Sequence, residues 1–120
     1  MTPIRTALLV EDETLIAMDL EDVLRDHGVA DLRLVPSYEE AAAALEAGTF
    51  DLVLFDLDLE GVSSLPLVEA RQAAGGASIV TSGYEEPPAA LAALGVPVLA
   101  KPVRLHDLKA AAAELGLSLG

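Results

Sequence analysis

Polar side chains that could hold a cation and a phosphoryl group follow four short apolar runs in this sequence. They are Glu11 with Asp12, Asp56 with Asp58, Ser82, and Lys101. Carboxylates, together with carbonyl oxygens and waters, are the ligands that Mg²⁺ prefers, and a phosphate often completes such a site. The Ser82 hydroxyl and the Lys101 ammonium could donate hydrogen bonds to phosphoryl oxygens. Taken singly, each residue is explained equally well as a helix cap, a turn residue or a solvated strand end.

Asp56 is the residue on which covalent chemistry could take place. Crowded carboxylates repel one another, so a cation would neutralise Asp56 and an incoming phosphoryl group together. The aspartate could then act as a nucleophile and form an acyl phosphate. We expect no general base, because a carboxylate is ordinarily ionised at neutral pH. Glu11 and Asp12 would hold the metal, and the backbone carbonyl of Asp58 could complete its protein ligands.

These residues meet only if the apolar runs form one sheet. The runs predict strands at 6–10, 31–35, 52–55, 77–81 and 96–100. Helical patterns occupy 14–27, 38–47, 65–74, 89–94 and 105–115, and we interpret 62–66 as a loop. This alternation predicts an α/β fold, a three-layer α-β-α sandwich around a doubly wound, flavodoxin-like, five-stranded parallel sheet. The carboxyl ends of its strands share one edge, where such folds bind ligands.

Composition narrows the function further. The 120 residues are expected to form one domain, spanning 1–120. The net charge of −13 argues against direct nucleic-acid binding, which depends on neutralising phosphates. There is no cysteine for a disulfide or thiolate chemistry, no apolar run of membrane-spanning length and no long apolar N-terminal region of a signal peptide. We therefore expect a cytoplasmic protein with no membrane partner.

Four short stretches together resemble the receiver domains of bacterial two-component response regulators. They are Leu-Leu-Val-Glu-Asp-Glu at 8–13, Leu-Val-Leu-Phe-Asp-Leu-Asp-Leu at 52–59, Ile-Val-Thr-Ser-Gly-Tyr at 79–84 and Leu-Ala-Lys-Pro at 99–102. Each is common alone, but the four in this order and spacing are specific, and they cover essentially the whole chain. The resemblance implies the strand order 2-1-3-4-5.

The resemblance also implies roles at the acidic end of the site. Asp56 would be the phosphoacceptor, supplied by a phosphohistidine on a sensor histidine kinase or a histidine phosphotransfer protein. Glu11 and Asp12 would be the acidic Mg²⁺ pair. The chain would not be an enzyme beyond catalysing its own phosphoryl transfer and acyl-phosphate hydrolysis.

Three further positions match the family's switch residues. Ser82 would be the switch hydroxyl, Lys101 the lysine that pairs with the phosphoryl group, and Lys101-Pro102 a peptide bond usually held cis. Phosphorylation would draw Ser82 toward Asp56 and remodel the surface of the fourth helix and fifth strand. Such switching is a population shift driven by local charge.

The sequence departs from the family at four positions. Val98 stands where many receivers carry a switch Tyr or Phe, so any switching must travel differently. Glu60 replaces a common proline, Ser64 a common glycine, and Val103 a frequent phenylalanine. These departures bear on the output face and on the loop after the phosphoacceptor more than on the chemistry.

Asp58 and Tyr84 match positions that flank the phosphoryl group in receivers. An acid there would repel anions and a tyrosine could limit access of water. We hypothesise that both side chains modulate the lifetime of the acyl phosphate, and solvent-facing side chains without a role are the alternative.

Other expectations concern output and assembly. The chain ends directly after the fifth helix, so we expect a stand-alone receiver without an output domain that signals to a downstream protein by contact. Residues 87–94 carry almost no charge for an ion-paired dimer face, which favours a monomer or a weak dimer.

Two other functions remain open from the sequence. The Asp56-Leu57-Asp58 motif superficially matches the nucleophile motif of haloacid-dehalogenase-like phosphatases, in which the second aspartate is a general acid and base. Against this, that motif normally ends the first strand of a larger fold. The second alternative is a pseudo-receiver, which is a binding module that has this fold but is not phosphorylated.

Overall fold

A computed structural model of the chain describes residues 1–83 and 88–120. Its elements, in chain order, are β1 (Thr2–Pro3), β2 (Thr6–Val10), α1 (Thr14–Asp26), β3 (Asp31–Val35), α2 (Tyr38–Ala47), β4 (Leu52–Asp56), β5 (Asp58–Leu59), β6 (Val62–Ser63), α3 (Leu65–Ala73), β7 (Ser78–Ser82), α4 (Ala89–Ala93), β8 (Val98–Ala100), α5 (Leu105–Glu114) and β9 (Leu117–Ser118).

The main sheet has five parallel strands in the order β3-β2-β4-β7-β8. Numbered along the chain, these five strands have the order 2-1-3-4-5, so the expected doubly wound, flavodoxin-like sheet is confirmed. The central strand β4 is buried along its whole length. This burial explains why its sequence is a continuous apolar run that ends in an aspartate.

Helices cover both faces of the sheet. Buried residues of α2, α3 and α4 pack on the face that carries Val53 and Phe55, while those of α1 and α5 pack on the face that carries Leu52 and Leu54. Alternate residues of a strand point to opposite faces, so one apolar run supplies both halves of the core. The three-layer sandwich is therefore confirmed.

The ends of the predicted elements shift by a residue or two. The strand predicted at 96–100 is shorter, because Pro97 has no N–H to donate and β8 begins at Val98. Ser37 caps α2, since the amide of Glu40 donates to the Ser37 hydroxyl over 3.2 Å. Among the residues described, no helix is both long and apolar enough to cross a membrane.

The prediction of a loop at 62–66 is wrong for its first two residues. Val62–Ser63 pairs antiparallel with Asp58–Leu59, and the two form a hairpin directly after β4. Its two turn residues, Glu60 and Gly61, have φ angles of 52° and 85°. Two consecutive positive φ angles are the mark of the tight turn that matches the twist of paired strands.

Besides the hairpin, a second two-stranded sheet forms that the sequence did not predict. β1 and β9 pair in parallel, with Thr2 opposite Leu117 and Pro3 opposite Ser118. The amide of Ile4 donates to the carbonyl of Ser118 over 3.1 Å. We call the pair of β1 and β9 the terminal clasp. Because β1 lies directly before the start of β2, the clasp lies at the amino edge of the main sheet, away from the carboxyl ends of the strands.

Candidate functional site

The parallel register brings the candidate residues to one edge of the sheet. Asp56 is the last residue of β4 and Ser82 the last of β7, while Glu11 follows β2 and Lys101 follows β8. The side chains of Glu11, Asp56 and Ser82 are buried. The residues lie together because neighbouring strands end at matched positions, with Val10 beside Phe55 and Asp56 beside Thr81.

Three carboxylates converge at this edge. One oxygen each from Glu11, Asp12 and Asp56 lies within 4.8 Å of the other two. Such closely spaced negative charges repel one another unless a proton or a cation compensates them. Three hard oxygen donors at this spacing suit Mg²⁺, which binds a few carboxylates and keeps several waters.

Among the described residues, Lys101 is the basic group that reaches this cluster. Its Nζ lies 3.0 Å from Oε1 of Glu11 and 3.1 Å from Oδ2 of Asp56. The contact with Oε1 of Glu11 is an ion pair that lacks hydrogen-bond geometry. Lys101 Nζ donates its hydrogen bond to the other oxygen of Glu11, Oε2, over 3.4 Å. The site therefore has one lysine for three acidic side chains, so a bound cation would compensate negative charge that Lys101 leaves uncompensated.

Crowding changes the protonation of Asp56. Burial, followed by the neighbouring Glu11 carboxylate, raises the pKa of Asp56 to about 8, although Lys101 opposes the shift. The expectation that Asp56 is already ionised at neutral pH is therefore wrong for the protein without a cation. At neutral pH most of the buried carboxyl therefore keeps its proton, unless an additional positive charge lowers its pKa.

The pKa values of Asp12 and Lys101 shift so that both groups stay charged. Burial acts to raise the pKa of Asp12, but hydrogen bonds with Asp56 and with backbone amides outweigh it and the pKa falls. One such amide, that of Glu60, donates to Oδ2 of Asp12 over 3.0 Å. Burial likewise acts to lower the pKa of Lys101, and the Glu11 and Asp56 carboxylates raise it overall.

The backbone joins the ends of β7 and β8. The amide of Lys101 donates to the carbonyl of Ser82 over 3.0 Å, which keeps these two candidate residues on adjacent strand ends. The Lys101-Pro102 peptide bond is cis, as the resemblance implies.

The response regulator receiver domain model matches residues 7–113 of the sequence. The chain belongs to this family. A search of curated proteins finds no match.

Three solved structures share the fold over most of their length. SdrG from Sphingomonas melonis Fr1 is 31% identical with a TM-score of 0.78, over 96% of this chain and 98% of that one. TrrA from Thermotoga maritima, in complex with Mg²⁺-BeF, is 22% identical with a TM-score of 0.81, over 93% and 99%. The receiver domain of Ssk1 from Saccharomyces cerevisiae, crystallised with the histidine phosphotransfer protein Ypd1, is 22% identical with a TM-score of 0.74, over 90% and 86%.

In this receiver the Asp58 side chain is part of the hairpin turn. Its Oδ1 accepts a hydrogen bond of 2.8 Å from the amide of Gly61, and the side chain is exposed. Its own amide donates to Oδ1 of Asp56 over 3.3 Å. A role for the Asp58 carbonyl as a metal ligand stays a prediction, and Tyr84 lies outside the described residues.

Sequence reasoning assigned no function to Ser64 beyond its departure from the family. The side chain is completely buried, and its hydroxyl donates to the carbonyl of Asp56 over 2.7 Å. A serine before a helix is ordinarily a sign of an N-cap, but the amide of Leu65 bonds instead to the hydroxyl of Ser63. The departure from glycine was the only signal that could have identified Ser64.

Proposed function

We propose that this receiver, comprising residues 1–120, accepts a phosphoryl group on Asp56 from a phosphohistidine donor and passes the signal on by protein contact. The convergence of three carboxylates, two of which pair with Lys101, is the observation that carries the proposal. Buried carboxylates cost free energy unless a proton or a cation compensates them, so their convergence at one sheet edge favours a cation-binding site over a structural strand end.

The residues fit Mg²⁺ as the resident cation. Glu11, Asp12 and Asp56 would hold it through one oxygen each, and the backbone carbonyl of Asp58 would join them. When bound, Mg²⁺ would supply the charge that ionises Asp56 and offsets the negative phosphoryl oxygens. The solved structure of TrrA with Mg²⁺-BeF supports this ligand class by analogy.

The reaction needs little from the protein beyond positioning and charge. An oxygen of ionised Asp56 attacks phosphorus, the P–N bond of the phosphohistidine breaks, and the electron pair stays on the imidazole. Lys101, already 3.1 Å from Asp56 Oδ2, would move its ion pair to a phosphoryl oxygen. The Ser82 hydroxyl would donate to another phosphoryl oxygen, and water would later hydrolyse the acyl phosphate.

A protein donor fits the surface beside the site. Leu15 and Met18 of α1 are among the exposed large apolar side chains, with 79% and 52% of their surface accessible. Met18 lines a cavity of about 190 Å³ together with Glu11 and Asp12, so apolar surface adjoins the carboxylates. We infer that a sensor histidine kinase or a histidine phosphotransfer protein docks here. The co-crystal structure of Ypd1 with the Ssk1 receiver domain supports this class of partner by analogy.

We further propose a cytoplasmic signalling protein that acts as a monomer or weak dimer. Helix α4, Ala89–Ala93, contains only alanine and leucine, so this described segment has no charged side chain for ion pairs across a dimer. The net charge of −13 disfavours nucleic acid as the downstream target.

Phosphorylation of the purified protein tests the proposal. With Mg²⁺ and acetyl phosphate, or with a phosphorylated histidine donor, we expect one phosphoryl group per chain, lost in Asp56→Asn. Intact-protein mass spectrometry measures the labelling, and Asp58→Asn is the matched acidic control. Absence of Asp56-dependent labelling with every donor would leave the pseudo-receiver, whereas turnover of small phosphate esters dependent on Asp58 would favour a phosphatase.

A further inference from the structure

Ser64 forms hydrogen bonds to the backbone that follows the phosphoacceptor Asp56, through both its hydroxyl and its amide. Its hydroxyl donates to the carbonyl of Asp56 over 2.7 Å and lies 3.4 Å from that of Leu57. Its amide donates to the carbonyl of Leu57 over 2.9 Å. The side chain has no accessible surface, so water does not replace these bonds in the folded protein.

The first of these bonds completes the anchoring of one peptide unit. The Asp56–Leu57 peptide has its N–H bonded to the carbonyl of Thr81 over 2.9 Å, which continues the pairing of β4 with β7. Its carbonyl, on the opposite side, is bonded to the Ser64 hydroxyl. A peptide plane held at both ends cannot rotate without breaking a buried hydrogen bond.

The bond from the Ser64 amide anchors the next peptide unit, Leu57–Asp58, in the same way. The Leu57 carbonyl accepts from the Ser64 amide, and the Asp58 N–H at the other end donates to Oδ1 of Asp56 over 3.3 Å. Because Lys101 bonds Oδ2, both oxygens of the Asp56 carboxylate are fixed, one of them through a peptide unit that Ser64 holds.

We propose that Ser64 is a positioning residue for the phosphoacceptor. Its hydroxyl fixes the Asp56–Leu57 peptide plane, and its amide fixes the Leu57–Asp58 plane that aims the Asp58 amide at Asp56. Together they hold the carboxylate in the orientation that would bind Mg²⁺ and attack phosphorus. The proposal rests on the phosphorylation of Asp56 and adds to it a residue that never touches the phosphoryl group. Groups that orient metal ligands from the next shell affect metal affinity by about 10- to 100-fold when removed.

The test compares Ser64→Ala and Ser64→Gly with the parent. Ser64→Gly keeps the amide bond to Leu57 and matches the residue common in receivers, so it serves if Ser64→Ala does not fold. Ser78→Ala is the control for a fully buried serine, since the Ser78 hydroxyl has no partner within the described residues. Ser63→Ala is the control for the adjacent hydroxyl that caps α3.

Three measurements are made at a temperature where every variant is folded. They are the Mg²⁺ dissociation constant by titration calorimetry, the ¹H–¹⁵N resonance and hydrogen exchange of the Asp58 amide, and the rate of labelling by acetyl phosphate. We expect Ser64→Ala and Ser64→Gly to weaken Mg²⁺ binding about tenfold, to shift the Asp58 amide resonance and speed its exchange, and to slow labelling. Both controls should match the parent in all three.

Two results would contradict different parts of the proposal. If the Ser64 variants lose stability but keep the parent's Mg²⁺ affinity and Asp58 resonance, Ser64 is structural only and the inference is wrong. If the parent itself is never labelled, the proposed function fails, while the magnesium and resonance measurements still decide whether Ser64 orients Asp56.

Discussion

Asp56 combines burial, two acidic neighbours and a single lysine, and this combination determines how the site responds to pH. The pKa of about 8 in the folded protein lies well above the ordinary value of 3.8. The folded protein therefore holds a proton that the unfolded chain releases near pH 4. Its contribution to stability is fully present below that pH and is lost progressively as the pH rises to about 8.

Asp56→Asn should therefore stabilise the protein when Mg²⁺ is absent. Because the amide has no proton to lose, we expect a gain in the free energy of unfolding of about 2 kcal/mol or more at pH 8, since one pKa unit corresponds to about 1.4 kcal/mol. The gain should shrink toward zero near pH 4. Urea denaturation at several pH values measures it, and a gain independent of pH would refute the explanation.

Lys101 and the cation should compete for the same carboxylates. Lys101→Met removes the charge that pairs with Glu11 and Asp56. We expect Mg²⁺ to bind several-fold more tightly at low salt, because the competing positive charge is gone. We expect labelling by acetyl phosphate to slow by about tenfold or more, because a donor to the phosphoryl oxygens is missing.

Titration calorimetry and labelling rates measure these two effects separately. Lys109→Met is the matched control, since Lys109 lies on α5 with its side chain exposed. Weaker Mg²⁺ binding in Lys101→Met would contradict the competition.

Among the elements, the hairpin of β5 and β6 connects the metal pair to the phosphoacceptor strand. Its turn amide at Glu60 bonds Asp12, and Ser64 at its end bonds the backbone of Asp56. The hairpin is thus a paired structure that touches both parts of the site.

The turn itself carries local strain. Glu60 has a φ of 52°, where a side chain other than glycine or asparagine is unfavourable. Glu60→Asn would place an asparagine directly before Gly61, which is the preferred residue pair for this turn, and should raise the free energy of unfolding by about 0.5–1 kcal/mol. Glu60→Gln, which removes the charge but keeps the strain, is the control. Equal stabilisation by both variants would attribute the effect to charge instead.

The terminal clasp lies at the opposite edge of the sheet from the site, so damage to it should leave the chemistry intact. Leu117 of β9 is buried against the core cluster that includes Leu24 and Leu108. We expect Leu117→Ala to lower the free energy of unfolding by about 2–3 kcal/mol, because it leaves a cavity. The Mg²⁺ affinity of the folded protein, measured by calorimetry, should not change. A changed affinity would show that the clasp and the site are coupled.

For the whole molecule, the charge distribution and the sheet topology act together. A net charge of −13 with one lysine facing three carboxylates leaves the site deficient in positive charge. That deficiency adds to the effect of burial, the main cause of the raised pKa of Asp56. It is also the reason for the fit to Mg²⁺ and for the expected competition with Lys101.

Much of the fold was predictable because parallel strands bury both faces. Continuous apolar runs such as 52–55 are legible in sequence, and the acids and hydroxyls that end them fall at the shared carboxyl edge whenever the sheet is parallel. The two-residue strands of the hairpin and of the terminal clasp escaped prediction, because strands so short have no alternation to detect.

The sequence by itself determined the parallel sheet, the edge where the site lies and the identities of Asp56, Glu11, Asp12 and Lys101 as its candidates. Only the tertiary structure decided that the pKa of Asp56 is raised, because a pKa depends on burial and on the distance to charges from other strands. It also revealed Ser64, because the bond from its hydroxyl to Asp56 spans eight residues and a hairpin. Residue types and order specify which groups reach the edge, whereas their mutual distances exist only after folding.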